Sequence, residues 1–283
     1  MSVGVRLDRA GALLADTWLP YVRGAGSPSI PVLMYHSVSD GEEANVHPYY
    51  RLTTSPARFA EHMRWLADHE YTVVSLDSAV EATLDRRIVD RSVVVTFDDG
   101  FADFLDHAWP VLESLGFVAT VFLPTSFIGD ARRRFKEREC LTWSEVFDLS
   151  TRGVAFGSHT VTHPVLTDLP WPDVCAELRQ SRAQIEAVLS RPVTSFAYPY
   201  AFPQENRHYV SRFRAELQNQ NYRASVTTAI GRFGVGDDPL CIKRLPMNEA
   251  DDVPLFRAKL AGAYDWVGTV QSAWKSRRAV LAR

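Results

Sequence analysis

The stretch "RSVVVTFDDGF", Arg91–Phe101, runs five apolar or β-branched residues straight into two adjacent carboxylates. A short, continuously apolar run reads as a strand buried on both faces, the kind that parallel sheets are built from. Its end is less ordinary. Asp98 and Asp99 repel each other unless something holds them, although Asp-Gly is also a common turn pair. The stretch therefore ends either in a plain turn or in a place where charge is put to use.

Similar runs recur along the chain: "IPVLMY" (Ile30–Tyr35), "YTVVSL" (Tyr71–Leu76), "FVATVFL" (Phe117–Leu123), then "GVAFGS", "VTSFAYP" and "YRASVTT". Helical patterns with start signals lie between them. Ser55-Pro56 sets a cap and a first-turn proline before "ARFAEHMRWLADH". Thr142 with Glu145 forms a capping-box pattern. Pro172 opens a segment whose Val174, Leu178, Ile185 and Leu189 share one face. Repeated β-α alternation predicts an α/β fold with a parallel sheet, either doubly wound or closed as a barrel.

Composition narrows the function classes. The 283 residues are 46% hydrophobic and 23% charged, an ordinary globular balance, and the net charge of −3 argues against nucleic-acid binding. Cys140, Cys175 and Cys241 form no metal-type spacing or disulfide framework. No apolar run reaches the roughly 18 residues of a membrane span. Arg6, Asp8, Arg9 and Asp16 interrupt the first stretch, so the expected location is cytoplasmic. Leu7, Leu14 and Trp18 share a helical face. Trp266, Val270 and Trp274 recur every four residues before Lys275, Arg277 and Arg278. Such terminal helices either pack on the domain or make peripheral contact with a membrane.

The chemistry gathers in "GVAFGSHTVTHP", Gly153–Pro164, where His159 and His163 end another strand-like run. Pro164 biases His163 away from helical geometry, so a looped turn is expected. A histidine pair alone is more often decoration than a ligand set. Two carboxylates and two histidines, each at a strand end, instead mark the rim where α/β folds place their sites. One carboxylate and two imidazoles suit zinc or a related divalent ion with a position left open for water. The second carboxylate is then free to act as a base.

Three segments resemble the motifs of the polysaccharide deacetylases, the NodB-homology carbohydrate esterases: "TFDDGF", "SHTVTH" and "FAYPYA" (Phe196–Ala201). The resemblance implies an α/β fold in the form of a distorted (β/α) barrel of about seven parallel strands, as a single domain. Residues 30–250 would be the catalytic domain, 1–29 an amphipathic N-terminal extension and 251–283 a helical tail. It makes Asp98 the catalytic base and Asp99, His159 and His163 the ligands of one divalent metal ion, zinc first, with cobalt, nickel or manganese as alternatives. The Tyr200 backbone N–H would stabilise an oxyanion. Ala201 replaces the family's usual glycine, which leaves the loop shape open.

No histidine follows His208 here, although many members draw their acid from a C-terminal histidine. His36 in "PVLMYHSV" offers a replacement, an arrangement that resembles the permuted branch that includes poly-N-acetylglucosamine deacetylases. Arg244 in "IKRLP" is the candidate for orienting the base, and Trp143 for walling a sugar cleft. The run "RRRFKER", Arg132–Arg138, either grips an anionic substrate or is a solvated loop. The activity implied is hydrolysis of an N-acetyl group from an N-acetylated sugar. Deformylation, imide hydrolysis and non-catalytic carbohydrate binding are the alternatives, and the oligomeric state stays open.

Overall fold

The computed structural model describes residues 6–22, 28–41, 43, 46–47 and 51–271. Trp274, Lys275, Arg277 and Arg278 lie outside them. Eight parallel strands carry the architecture: β1 (Val32–Tyr35), β2 (Thr72–Val73), β3 (Ser92–Phe97), β4 (Thr120–Leu123), β5 (Ala155–Ser158), β6 (Ser195–Ala197), β7 (Ala224–Ile230) and β8 (Ile242–Pro246). Seven close into a ring in the order β1-β8-β7-β6-β5-β4-β3, with β3 returning to β1. Between a doubly wound sheet and a barrel, the fold is the barrel.

The first stretch quoted is the hub of this ring. All six residues of β3 are buried, and β3 pairs with β1, β2 and β4. "YTVVSL" contributes less than its composition promises. Only Thr72–Val73 pair, outside the ring, because Ser75 already serves as the N-cap of the helix Leu76–Leu84. The other caps lie where the sequence puts them. Ser55 Oγ accepts from Arg58 N, and Thr142 and Glu145 close a full capping box on the helix Trp143–Thr151.

Two departures from regularity shape the rim. The β5–β6 seam has a single residue pair, Ser158 with Phe196. Along β7 and β8 the register jumps, pairing Val226 with Ile242 but Ile230 with Arg244. Inside the ring, Val32, Val94, Phe122, Ala197, Val226 and Ile242 form an apolar floor. Gly157 makes room for it: a Cβ there would lie 2.5 Å from Phe122 Cε1. The outer helices cover the other strand faces with a larger core that includes Tyr35, Phe59, Phe97 and Leu178.

The N-terminal helix, Leu7–Val22, docks on the late helix Val253–Leu260, and Asp251 is buried against Lys259. Among the described residues, no helix is long and apolar enough to cross a membrane.

Candidate active site

The strand ends deliver the predicted residues to one rim. Asp98 and Asp99 follow β3, and the backbone turns sharply there, with φ of +71° at Asp99 and +61° at Gly100. Asp tolerates the left-handed region better than most residues, and glycine adopts it freely. A hairpin, Arg134–Phe135 paired with Arg138–Glu139, holds this turn in place. Ala102 N donates to Glu139 O at 2.8 Å, and Leu141 N donates to Gly100 O at 2.9 Å.

The two carboxylates meet different partners. Asp98 receives a bidentate pair from Arg244, Nη1 to Oδ1 at 2.7 Å and Nη2 to Oδ2 at 2.6 Å. The guanidinium is itself held, since Arg244 Nε donates to Thr227 O at 3.0 Å where the β7–β8 register shifts. Burial pushes the Asp98 carboxyl up, but the Arg244 charge outweighs it and brings it down to about 2. Asp99 Oδ2 takes Lys136 Nζ at 3.0 Å, while Oδ1 faces His163 Nε2 at 3.3 Å and His159 Nε2 at 3.6 Å. Here too burial opposes ionisation, and the adjacent His163 imidazole with nearby positive charge holds the carboxyl well below the usual range. The repulsion posed by "DD" is thus answered by one protein cation for each carboxylate.

His159 and His163 occupy a loop, as the following proline predicts, but His163 is left-handed, with φ of +53°, rather than extended. Thr160 Oγ1 accepts from His163 N at 3.0 Å. Between the two histidines, Glu177 of the helix Trp171–Leu189 accepts from the backbone N–H groups of Val161 and Thr162 at 2.6 and 3.0 Å. His159 Nδ1 donates to Ala197 O at 2.8 Å across the sparse β5–β6 seam, which leaves the Nε2 lone pair pointing toward Asp99. Burial lowers the His159 imidazole to about 3, so it is neutral and a competent ligand.

The donor atoms of Asp99, His159 and His163 lie within 4.8 Å of one another, and Asp99 Oδ1 is buried without a hydrogen-bond partner. A buried carboxylate oxygen left over beside two imidazoles fits a divalent cation, the donor set expected of a metal with an open position.

His36 lies between β1 and the short strand Ser37–Val38, its Nε2 3.9 Å from Asp98 Oδ2. Asp103 anchors that segment through Ser37 Oγ at 2.5 Å. Burial is the main influence on His36 and lowers its pKa. The Tyr200 ring packs 4.6 Å from the His163 ring, and the left-handed residue of this loop is Tyr200 itself, with φ of +57°. Ala201 is not left-handed, so the missing glycine causes no strain. Thr228 pins the loop by donating to Tyr200 O and accepting from Phe202 N.

Trp143 is not brought to this group. It lines a separate cavity of about 420 Å³ with Thr125, Ile128, Gln184 and Val188. The basic run is already engaged within the fold. Arg132 meets Glu145, Arg133 the Ser126 carbonyl, Arg134 Glu137, and Arg138 Thr53. Lys136 lies in the basic run but meets a carboxylate rather than an anionic substrate, and Glu177, Thr227 and Thr228 belong to no motif of the sequence. Their only local signals are a charged hairpin and polar residues at strand or helix positions, which mark many surfaces.

Residues 86–224 match the family model described as polysaccharide deacetylase. That segment holds Asp98, Asp99, His159, His163 and Tyr200, so the likeness to polysaccharide deacetylases covers that part of the candidate site. YxkH of Bacillus subtilis (strain 168) is 28% identical over 221 residues, covering 76% of this chain and 70% of that protein. The poly-beta-1,6-N-acetyl-D-glucosamine N-deacetylase of Staphylococcus aureus (strain N315) is 21% identical over 194 residues, covering 62% and 66%. Among solved structures, Streptococcus pyogenes deacetylase PplD in complex with acetate superposes with a TM-score of 0.72 at 23% identity, covering 83% of this chain and 99% of that one. The barrel fold is therefore shared at low sequence identity.

Proposed function

We propose that the chain removes an N-acetyl group from an N-acetylated sugar by hydrolysis, with a divalent metal ion held by Asp99, His159 and His163. The observation that carries this reading is Asp98, a buried, ionised carboxylate clamped by Arg244 beside three converging metal donors. Zinc suits the donor set best, with cobalt, nickel or manganese as alternatives. When bound, such an ion polarises the acyl oxygen and acidifies water.

The chain's own residues supply the rest. Asp98 accepts the proton of the attacking water, and Arg244 keeps both of its oxygens fixed for that transfer. The Tyr200 N–H hydrogen-bonds the developing oxyanion. His36 donates a proton to the sugar nitrogen as the C–N bond breaks, and burial makes its imidazolium the stronger acid. The products are acetate and a free amine. By analogy with the Staphylococcus enzyme, β-1,6-linked N-acetylglucosamine oligomers are the first substrate to try. No feature of the site favours a deformylase or an imidase.

The test is Asp98→Asn. Acetate release from such oligomers is expected to fall by about 10²- to 10⁴-fold, the usual contribution of a general base, while bound metal per chain stays the same. Turnover at the parental rate would remove Asp98 from the role of base. Release of formate or of a ring-opened product from a parallel panel would change the substrate class.

A further inference from the structure

The N-terminal helix, Leu7–Val22, is turned inside out. At 100° per residue, Leu7, Leu14 and Trp18 fall within an arc of about 40°, with Asp8, Arg9, Ala12 and Asp16 on the opposite side. In most surface helices the apolar arc faces the core. Here the charged arc does. Asp8 pairs with Arg6 and receives the Tyr264 hydroxyl, Arg9 meets Asp252, and Asp16 meets Arg257. Ala12 is fully buried, whereas Leu7, Leu14 and Trp18 are 75%, 64% and 65% exposed.

A second segment extends this ridge. Residues 265–271 are helical, and Trp266 lies so close to the first helix that a Cβ on Gly11 would be 2.5 Å from its indole Cζ2. Trp266 and Val270, one turn apart on this segment, are both exposed. Two tryptophans, two leucines and a valine thus form an outward apolar surface on the flank of the barrel.

We propose that this surface docks on the face of an anionic phospholipid bilayer. Apolar side chains with tryptophans and adjacent cations suit the boundary between headgroups and acyl chains. The cations are in the sequence. Arg23 follows Trp18 by five residues, and residues 271–283 carry Lys275, Arg277, Arg278 and Arg283 with no acidic residue. Lys275, Arg277 and Arg278 follow Gln271 by four, six and seven residues. The carboxylates of this flank do not oppose them: Asp8, Asp16, Asp252 and Asp265 all pair with arginines. A second copy is the weaker occupant. It would bring the same cationic tail, and five side chains fall well short of the 20–30 residues per side of a stable interface.

The inference is independent of the activity proposed above. Full-length protein is sedimented with phosphatidylcholine vesicles, with and without phosphatidylglycerol, alongside a Leu14→Ser/Trp18→Ser variant whose circular dichroism is checked against the parent. The parent is expected to pellet with the phosphatidylglycerol vesicles and to be released by salt, and the variant to partition at least about tenfold less. A parent that stays in the supernatant, that binds both vesicle types equally, or whose binding the two substitutions leave unchanged would overturn the proposal. So would a dimer in sedimentation velocity that the substitutions abolish. Deacetylation of soluble oligomers is expected to be equal in parent and variant.

Discussion

Asp98 and Asp99 are neighbours in sequence with opposite surroundings. One faces a buried arginine across the barrel, and the other faces two imidazoles and a lysine. Their separate roles in the proposed reaction follow from that division. It also makes Arg244 costly to lose, because the residue is 1% exposed and its removal strands a buried carboxylate without its cation. Arg244→Met is expected to destabilise the chain by about 3–5 kcal/mol in urea unfolding. Adding Asp98→Asn should recover part of that loss, because the stranded charge disappears with it. The Asp pair, the two histidines and His36 were legible as residues because their motifs are local. That Arg244 would reach Asp98, 146 residues away, was a candidate from its strand-end position and nothing more.

The loop that carries His159 and His163 is not self-supporting. Its ends are set by β5 and Pro164, but its middle hangs on Glu177, which comes from a helix that begins after the loop closes. Glu177→Ala frees two backbone N–H groups and loosens both imidazoles. Zinc affinity, read by competition with a chromophoric chelator, is expected to weaken about 10- to 100-fold, as when partners of metal ligands are removed elsewhere. The hairpin Arg134–Glu139 shows the same limit of sequence reading. Its charge pattern suggests a grip for an anion, yet its lysine turns inward to Asp99, and Arg134 and Arg138 meet Glu137 and Thr53 within the fold. Capping residues were easier to read than these clamps, because a cap acts within three or four residues and a clamp across tens.

His62 ties the molecule together at a distance from the rim. It is fully buried on the helix Pro56–Asp68, stacks 4.2 Å from Phe256, and bonds the Tyr35 hydroxyl and the Asp251 carbonyl. Burial pushes its imidazole down to about 4. The unfolded chain takes up that proton near pH 6.5 and the folded chain only near pH 4, so stability is lost as pH falls through this window. The loss should approach about 3 kcal/mol, and urea unfolding of the parent and of His62→Gln across the window should show the parent's excess dependence on pH. Sequence by itself determined the strand-and-helix alternation, the caps and the metal-type motifs, since each depends on residues close along the chain. Only the tertiary structure decided that each carboxylate has its own cation, that Trp143 lies elsewhere, and that the first helix turns Leu7 and Leu14 outward. Those outcomes depend on contacts between distant residues, in which several arrangements satisfy the same local pattern and packing selects one.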